Sequence, residues 1–171
     1  MKRRVLGRVD CPVGRALDEI GDWWSLLIVR DAFDGMRRFS EFQKNLGISK
    51  GILAARLKHL VAIGVLTTEP ISEDGAFEEY VLTKKGRDLF FVNLSLRQWG
   101  EDHCFTTSEP HSVLVEKENG QRVTRLALRG RDGQPLDDST TVVRKVADRP
   151  SPVKRAKPNT TRPAKSPGAR R

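Results

Sequence analysis

The fold of this 171-residue chain is decided by one stretch, Ser40-Glu41-Phe42-Gln43-Lys44-Asn45-Leu46-Gly47-Ile48-Ser49-Lys50-Gly51-Ile52-Leu53-Ala54-Ala55-Arg56-Leu57. Ser40 and Gln43 have the spacing of a capping box, which predicts a short helix that ends at Leu46-Gly47. Ser49 then predicts the cap of a longer helix. The stretch therefore predicts two helices joined by a tight turn.

Two further helices are predicted before this stretch. Pro12 stands at a favoured first helical position, and the helix that it opens should end at Gly21. Asp22 predicts the cap of a second helix, which stops at Gly35. Because apolar residues cover most of the circumference of this second helix, we expect it at the centre of the core.

A β-hairpin and a last helix are predicted after the stretch. Residues 65–69 and 77–82 have the composition of strands, and Asp74-Gly75 between them is a strong turn signal. Thr83 predicts the cap of one long helix over residues 83–104. This order of elements indicates an α+β fold, a winged helix-turn-helix flanked by N- and C-terminal helices.

The helix over residues 49–63 is the candidate DNA-reading element. If Leu53 and Leu57 face the core, small residues and hydrogen-bond donors face outward, where the backbone could approach base edges and phosphates. Arg38, just before the Ser40 helix, is assigned to phosphate contacts, because a helix N-terminus favours anions. Arg37 beside it adds positive charge. The predicted DNA-contacting residues are Arg37, Arg38, Ser40, Ser49, Lys50, Gly51, Ala54, Ala55, Arg56 and Lys58. An ordinary amphipathic helix with solvated bases is the alternative interpretation.

Several motifs match one protein family. They are Cys11-Pro12-Val13-x-Arg15-Ala16-Leu17-Asp18, Gly35-x-Arg37-Arg38-Phe39-Ser40-Glu41-Phe42, Gly47-Ile48-Ser49 and Tyr80-x-Leu82-Thr83-x-x-Gly86. With them the chain resembles the HxlR-type bacterial transcriptional regulators over about residues 8–104. The resemblance implies a homodimer that binds double-stranded DNA at a pseudo-palindromic operator through helix 49–63. It also implies dimer contacts from the N-terminal and last long helices.

The last long helix has more apolar surface than one small domain can cover. Its residues Leu89, Val92, Leu96 and Trp99 are spaced 3, 4 and 3 apart and form a seam. Large exposed apolar patches mark interfaces between proteins. The seam therefore predicts the homodimer contact.

The positive charge is unevenly distributed. Residues 147–171 contribute eight bases and one acid to a net charge of +9, and this Pro-rich tail is expected to be disordered. The hairpin carries Glu73, Asp74, Glu78 and Glu79, where the family usually has a basic or proline-bearing tip. Either this wing lies away from the DNA backbone, or Arg37, Arg38 and the tail supply the attraction that it lacks.

Residues 105–146 are predicted to form a small β-rich extension between a winged-helix domain over residues 1–104 and the tail. Strand-like runs over residues 112–115, 123–128 and 140–146 alternate with turns at Asn119-Gly120 and Asp132-Gly133. The segment resembles, more weakly, a ribbon-like extension of some family members in which paired cysteines would be expected. No cysteine stands in these turns, and neither a metal nor a cofactor is predicted.

Cys11 and Cys104 are the only thiols, and they are a candidate redox switch. Cys11 lies at a helix N-terminus near Arg8 and Arg15, an environment that favours the thiolate. Some members of the resembled family use a cysteine at this position as a thiol-stress sensor. Cys104 ends the long helix, and a symmetric dimer could bring it near the other subunit's Cys11. Packing roles for both thiols are the alternative.

Other function classes find little support. No apolar run approaches the ~20 residues of a membrane span, and no signal peptide is recognisable, so we expect a cytoplasmic protein. A nucleophile with a paired base, a carboxylate pair and a glycine-rich phosphate loop are all missing, which argues against an enzyme. Two alternatives stay open. One is a winged-helix interaction module without base readout, and the other is an effector-responsive module in which Trp23, Trp24, Phe90 and Trp99 line an aromatic pocket.

Overall fold

The computed structural model describes residues 10–71 and 78–144. The elements are α1 (Pro12–Ile20), α2 (Trp23–Phe33), α3 (Phe39–Leu46), α4 (Lys50–Ala62), β1 (Leu66–Pro70), β2 (Glu78–Leu82), α5 (Lys84–Arg87) and α6 (Phe90–His103). Strands β1 and β2 pair antiparallel, with Leu66 opposite Leu82 and Pro70 opposite Glu78. The α+β winged-helix prediction is confirmed.

The chain divides into two compact units. The described residues up to Thr141 belong to the first unit, and those from Val142 to Arg144 belong to the second. The predicted tail over residues 147–171 and the wing residues Glu73 and Asp74 lie outside the described residues.

Local capping signals set the ends of the central helices. Asp22 Oδ1 accepts a hydrogen bond of 3.1 Å from the Ser25 amide at the start of α2. Ser49 Oγ accepts one of 3.3 Å from the Ile52 amide at the start of α4. Gly47 ends α3 in the left-handed region, with φ of 64°, which favours glycine. The predicted caps of α2 and α4 are confirmed.

The core lies where α2, α3 and α4 meet the base of the hairpin. Its fully buried apolar side chains are Ile28, Val29, Phe42, Leu53, Leu57 and Leu60, joined by Val65 and Leu66, which are 1% exposed. Burial of each such side chain stabilises the fold by roughly 1.5–3 kcal/mol. The central position predicted for α2 is confirmed.

The cap predicted for α3 is wrong. Helix α3 begins at Phe39, so Ser40 lies inside it, and the capping group is the carboxylate of Glu41. Glu41 Oε2 accepts hydrogen bonds of 2.8 Å from the Arg37 amide and 2.9 Å from the Arg38 amide. A carboxylate that satisfies two amides forms stronger hydrogen bonds than a neutral hydroxyl, and these bonds lower the pKa of Glu41.

The single helix predicted over residues 83–104 is divided into α5 and α6. Thr83 Oγ1 donates to the Gly64 carbonyl at 2.6 Å, and a Cβ at Gly86 would clash with the Val65 carbonyl oxygen. These contacts hold α5 against the base of the hairpin. The Leu89 amide then bonds to the Gly86 carbonyl, three residues back, which tightens the turn before α6 begins.

The predicted β-rich extension is also corrected. Within residues 105–144 the structure contains only two isolated bridges, Val115 with Arg122 and Arg129 with Pro135. The turns at Gly120 and Gly133 do form, with φ of 70° and 80°. The runs do not become strands because they bury no common face. The apolar side chains of these runs that are left exposed include Val113, Val115, Leu126 and Leu128.

Polar contacts hold the extension against α6 instead. Arg97 donates a hydrogen bond of 2.8 Å to the Ser112 carbonyl. The Leu126 amide donates to Gln98 Oε1 at 3.2 Å. The extension is therefore held against α6 by hydrogen bonds and is not part of a sheet.

Candidate nucleic-acid interface

Helix α4 presents a shallow, small-residue face to solvent. Leu53 and Leu57 point into the core and are fully buried. The predicted contact residues that are exposed along the opposite face are Lys50, Gly51, Ala54, Ala55 and Lys58. The predicted division of α4 into inner and outer faces is confirmed.

Ile52 is a member of the exposed α4 surface that was not among the predicted contact residues. Its side chain is 43% exposed beside Gly51, at the N-terminal end of the helix. An apolar side chain at such a position can contact a thymine methyl group. The spacing of three residues between Ile52 and Ala55 was the available signal, but an isoleucine is normally taken as a core residue.

A buried carboxylate holds α3 against α2. Asp31 is fully buried, and its Oδ2 accepts a hydrogen bond of 2.9 Å from Asn45 Nδ2 of α3. Its Oδ1 lies 2.6 Å from Arg30 Nη2. Because a buried charge is costly unless it is paired and hydrogen-bonded, these contacts fix the position of α3 and hence of the turn before α4.

Arg37 and Arg38 meet the wing at Glu79. Arg37 Nη1 and Arg38 Nε each lie 3.5 Å from a carboxylate oxygen of Glu79 in β2. The Tyr80 amide also donates to the Arg37 carbonyl at 2.8 Å. Both arginines are about half exposed, so they remain accessible. The sequence indicated Glu79 only as one of the acidic wing residues. In the structure it forms ion pairs with Arg37 and Arg38, two of the predicted DNA-contacting residues.

Arg56 is directed away from the exposed face of α4. Its Nη1 lies 3.2 Å from Asp22 Oδ2, and its side chain is 35% exposed. Its Nε is buried and has no hydrogen-bond partner within the described part of the chain. The structure therefore does not bring Arg56 together with Lys50 and Lys58.

The predicted dimer seam is largely uncovered. None of the residues of α6 is buried, and Val92, Leu96 and Trp99 are exposed, Trp99 by 61%. Leu89 differs from them because it packs against the core of its own chain. Phe91 is as exposed as Trp99 and enlarges the apolar surface.

The structure leaves both thiols exposed. Cys11 is the N-cap of α1, and Cys104 is the C-cap of α6.

The structure separates the four aromatic residues proposed as a pocket. Trp23 and Trp24 contact each other edge to face at 6.3 Å between ring centroids, whereas Trp99 contacts His103. The cavity that Phe90 lines includes no tryptophan. The aromatic pocket that was kept open as an alternative is therefore not formed by these four residues within the described part of the chain.

Comparison with known proteins decides the family. Residues 19–108 match the family model described as HxlR-like helix-turn-helix. The chain belongs to this family. The HxlR-like resemblance predicted from the motifs is confirmed, and the family is one of transcriptional regulators rather than enzymes.

Relatives of this HxlR-like chain include an uncharacterized HTH-type transcriptional regulator of Mycobacterium tuberculosis, 47% identical over 91 residues. That match spans 53% of this chain and 58% of the relative, so the chain aligns with little more than half of the mycobacterial protein. The solved structure of PA1607, described as a transcription factor, is 54% identical with a TM-score of 0.77, over 81% of this chain and 96% of that one. The redox regulator HypR in its oxidised form is 33% identical with a TM-score of 0.51, over 56% and 100%.

No helix among the described residues of this HxlR-like chain combines the length and the apolar character needed to cross a membrane.

Proposed function

We propose that this protein is a sequence-specific DNA-binding transcriptional regulator that inserts α4 into the major groove. The observation that carries the proposal is the exposed face of Gly51, Ala54 and Ala55, bordered by Lys50 and Lys58. Small side chains let a helix backbone approach base edges closely, and the lysines supply donors for bases or phosphates. Membership of the HxlR-like family supports the same function.

The remaining predicted contacts are assigned to the DNA backbone. Ser40 is exposed in the first turn of α3, and Ser49 is exposed at the start of α4. Arg37 and Arg38 border the same helix end and can reach a phosphate if they leave Glu79. Arg56 is left out of the proposed interface because its guanidinium group forms an ion pair with Asp22.

The proposed operator is pseudo-palindromic because the proposed regulator is a homodimer. The exposed apolar residues of α6, Val92, Leu96 and Trp99, form a surface that a second copy can cover through a two-fold axis. Each α4 would then read one half-site, with the two half-sites about one helical turn, or ~34 Å, apart.

Redox control is a further part of the proposal. HypR, a redox regulator, shares 33% of its aligned residues with this chain. Both cysteines are exposed at helix ends, where an oxidant can reach them. We assign the sensing role to Cys11, which lies at the N-terminus of α1.

Selection of bound duplexes from a random pool, followed by affinity titration, tests the proposal. Lys50→Ala should weaken binding to the selected site by about 1–3 kcal/mol for a base contact and should affect a scrambled duplex less. Lys117→Ala, an equal charge change in the extension, is the matched control and should affect both duplexes equally. If the pool yields no preferred sequence, the winged helix is an interaction module instead.

A further inference from the structure

A cavity of about 350 Å³ lies between the C-terminal end of α2, one side of α6 and the extension. Its lining includes Phe33, Phe90, Asn93, Leu94, Phe105 and Leu114. The cavity lining shares no residue with the exposed α4 surface. It shares one residue, Leu96, with the α6 seam. The volume lies within the range of small-molecule sites and suits a molecule of two fused rings.

The walls of the cavity are suited to a flat apolar molecule. Phe33 and Phe90 meet edge to face, with ring centroids 5.4 Å apart. On the extension side, Phe105 and His111 form a second ring pair at 4.9 Å. Aromatic side chains arranged in this way offer both faces and edges for packing against another ring.

Asn93, a residue of the wall, carries a hydrogen-bond donor that has no acceptor among the described residues. This donor, Asn93 Nδ2, is buried. Most buried polar groups in proteins are hydrogen-bonded, so an isolated amide in an apolar cavity requires an explanation. A rotation of the Asn93 side chain that turns Nδ2 toward the cavity would let an acceptor oxygen on a bound molecule satisfy it.

Both arginines in the wall of the cavity are paired with carboxylates. Arg30 pairs with Asp31 at 2.6 Å, and Arg97 pairs with Glu101 at 3.4 Å. Arg97 also donates to the Ser112 carbonyl at 2.8 Å. Because neither guanidinium group is left without a partner, the cavity favours an uncharged molecule over a carboxylate.

We propose that this cavity binds an uncharged aromatic ketone or aldehyde whose carbonyl oxygen accepts a hydrogen bond from Asn93 Nδ2. The ring system packs between Phe33, Phe90 and Leu114. The proposal does not depend on DNA binding, because the cavity and the exposed face of α4 share no residue.

Two probes of nearly the same shape test the role of the carbonyl group. 2-Acetylnaphthalene carries the acceptor oxygen, and 2-isopropenylnaphthalene has a CH₂ group in its place. Binding of each to the full chain is measured by calorimetry and by NMR. The ketone should bind about tenfold more tightly, because the alkene leaves the Asn93 donor unsatisfied. The side-chain amide signal of Asn93 should shift with the ketone only.

Three variants locate the site. Asn93→Leu should bind both probes equally, because the donor is lost while the apolar wall is kept. Leu114→Trp fills the cavity and should abolish binding of both. Leu128→Trp is the matched control, since Leu128 is 61% exposed in the extension and does not line the cavity; it should bind as the wild type does.

Three results would overturn the proposal. The first is equal wild-type affinity for ketone and alkene, and the second is no binding of either probe at millimolar concentration. The third is equal loss of binding in Leu114→Trp and Leu128→Trp. If Asn93→Leu fails to fold, the amide signal of Asn93 in the wild-type chain decides the matter, because an unchanged signal at saturating ketone contradicts the assigned hydrogen bond.

Discussion

Arg56 of α4 forms an ion pair with Asp22, the N-cap of α2, at 3.2 Å between Nη1 and Oδ2. Asp22 also accepts hydrogen bonds from the Ser25 amide at 3.1 Å and from Ser25 Oγ at 2.7 Å. One carboxylate thus caps the central helix and holds the proposed DNA-reading helix against it. This contact connects the stability of the core to the position of α4.

Arg56→Ala should therefore lower stability more than it lowers DNA specificity. We expect a loss of about 1 kcal/mol in the free energy of unfolding, since the pair is partly exposed and such pairs are weak. A double-mutant cycle with Asp22→Asn, measured by urea denaturation, isolates the coupling between the two side chains. A variant of unchanged stability that loses preference for the selected duplex would return Arg56 to the DNA interface.

Glu79→Gln should strengthen DNA binding. Removal of the carboxylate frees Arg37 and Arg38 for phosphates, and each additional phosphate contact steepens the salt dependence of log affinity by about 0.9. Selected and scrambled duplexes should gain alike, because phosphates carry no sequence information. Glu118→Gln makes the same change in net charge in the extension. Equal gains for both variants would show that net charge, rather than release of the arginines, is responsible.

Trp99→Glu should abolish the proposed homodimer. A carboxylate at the C-terminal end of the α6 seam would be buried without a partner in the proposed dimer. Leu128→Glu is the matched control, because Leu128 and Trp99 are each 61% exposed. Sedimentation at micromolar concentration measures the change. A wild-type chain that sediments as a monomer would remove the basis of the palindromic operator.

Cys11 should be modified faster than Cys104. The N-terminus of α1 carries the positive end of the helix dipole, whereas Cys104 lies at the C-terminal end of α6. Mass spectrometry after brief treatment with a mild thiol oxidant compares the two rates, and titration of treated protein on the selected duplex measures the effect. Cys11→Ser should make DNA binding insensitive to the oxidant. Equal modification rates would contradict the assignment of the sensor.

Acid should weaken the contribution of Glu41 to stability. The Arg37 and Arg38 amides lower the pKa of Glu41 below its ordinary value of 4.5. Its carboxylate therefore stabilises the folded chain at pH values above 4.5, and this contribution falls as the pH drops through the lowered folded-state pKa. The difference in unfolding free energy between wild type and Glu41→Ala should be largest near neutral pH. This difference should become smaller in acid. Denaturation of both proteins at several pH values measures it.

Signals that act within one turn of helix were readable from the sequence. The Asp22 and Ser49 caps, the stop at Gly47 and the inward Leu53 and Leu57 each depend on neighbours a few residues away. Because apolar residues at helical spacing must face a core, the outward face of α4 followed from the same pattern. The order of elements then indicated the winged helix, as did the family motifs.

The tertiary structure alone decided which charged groups meet and which apolar runs gain a partner. Glu79 lies far along the chain from Arg37 and Arg38, so no local spacing could predict their contact. The extension has strand-like alternation but no second layer to bury it. The predicted long helix is interrupted between Arg87 and Phe90, just after Gly86 packs against the Val65 carbonyl. Local propensity acts within a segment, whereas the free energy of burial and of ion pairing depends on what other segments place beside it.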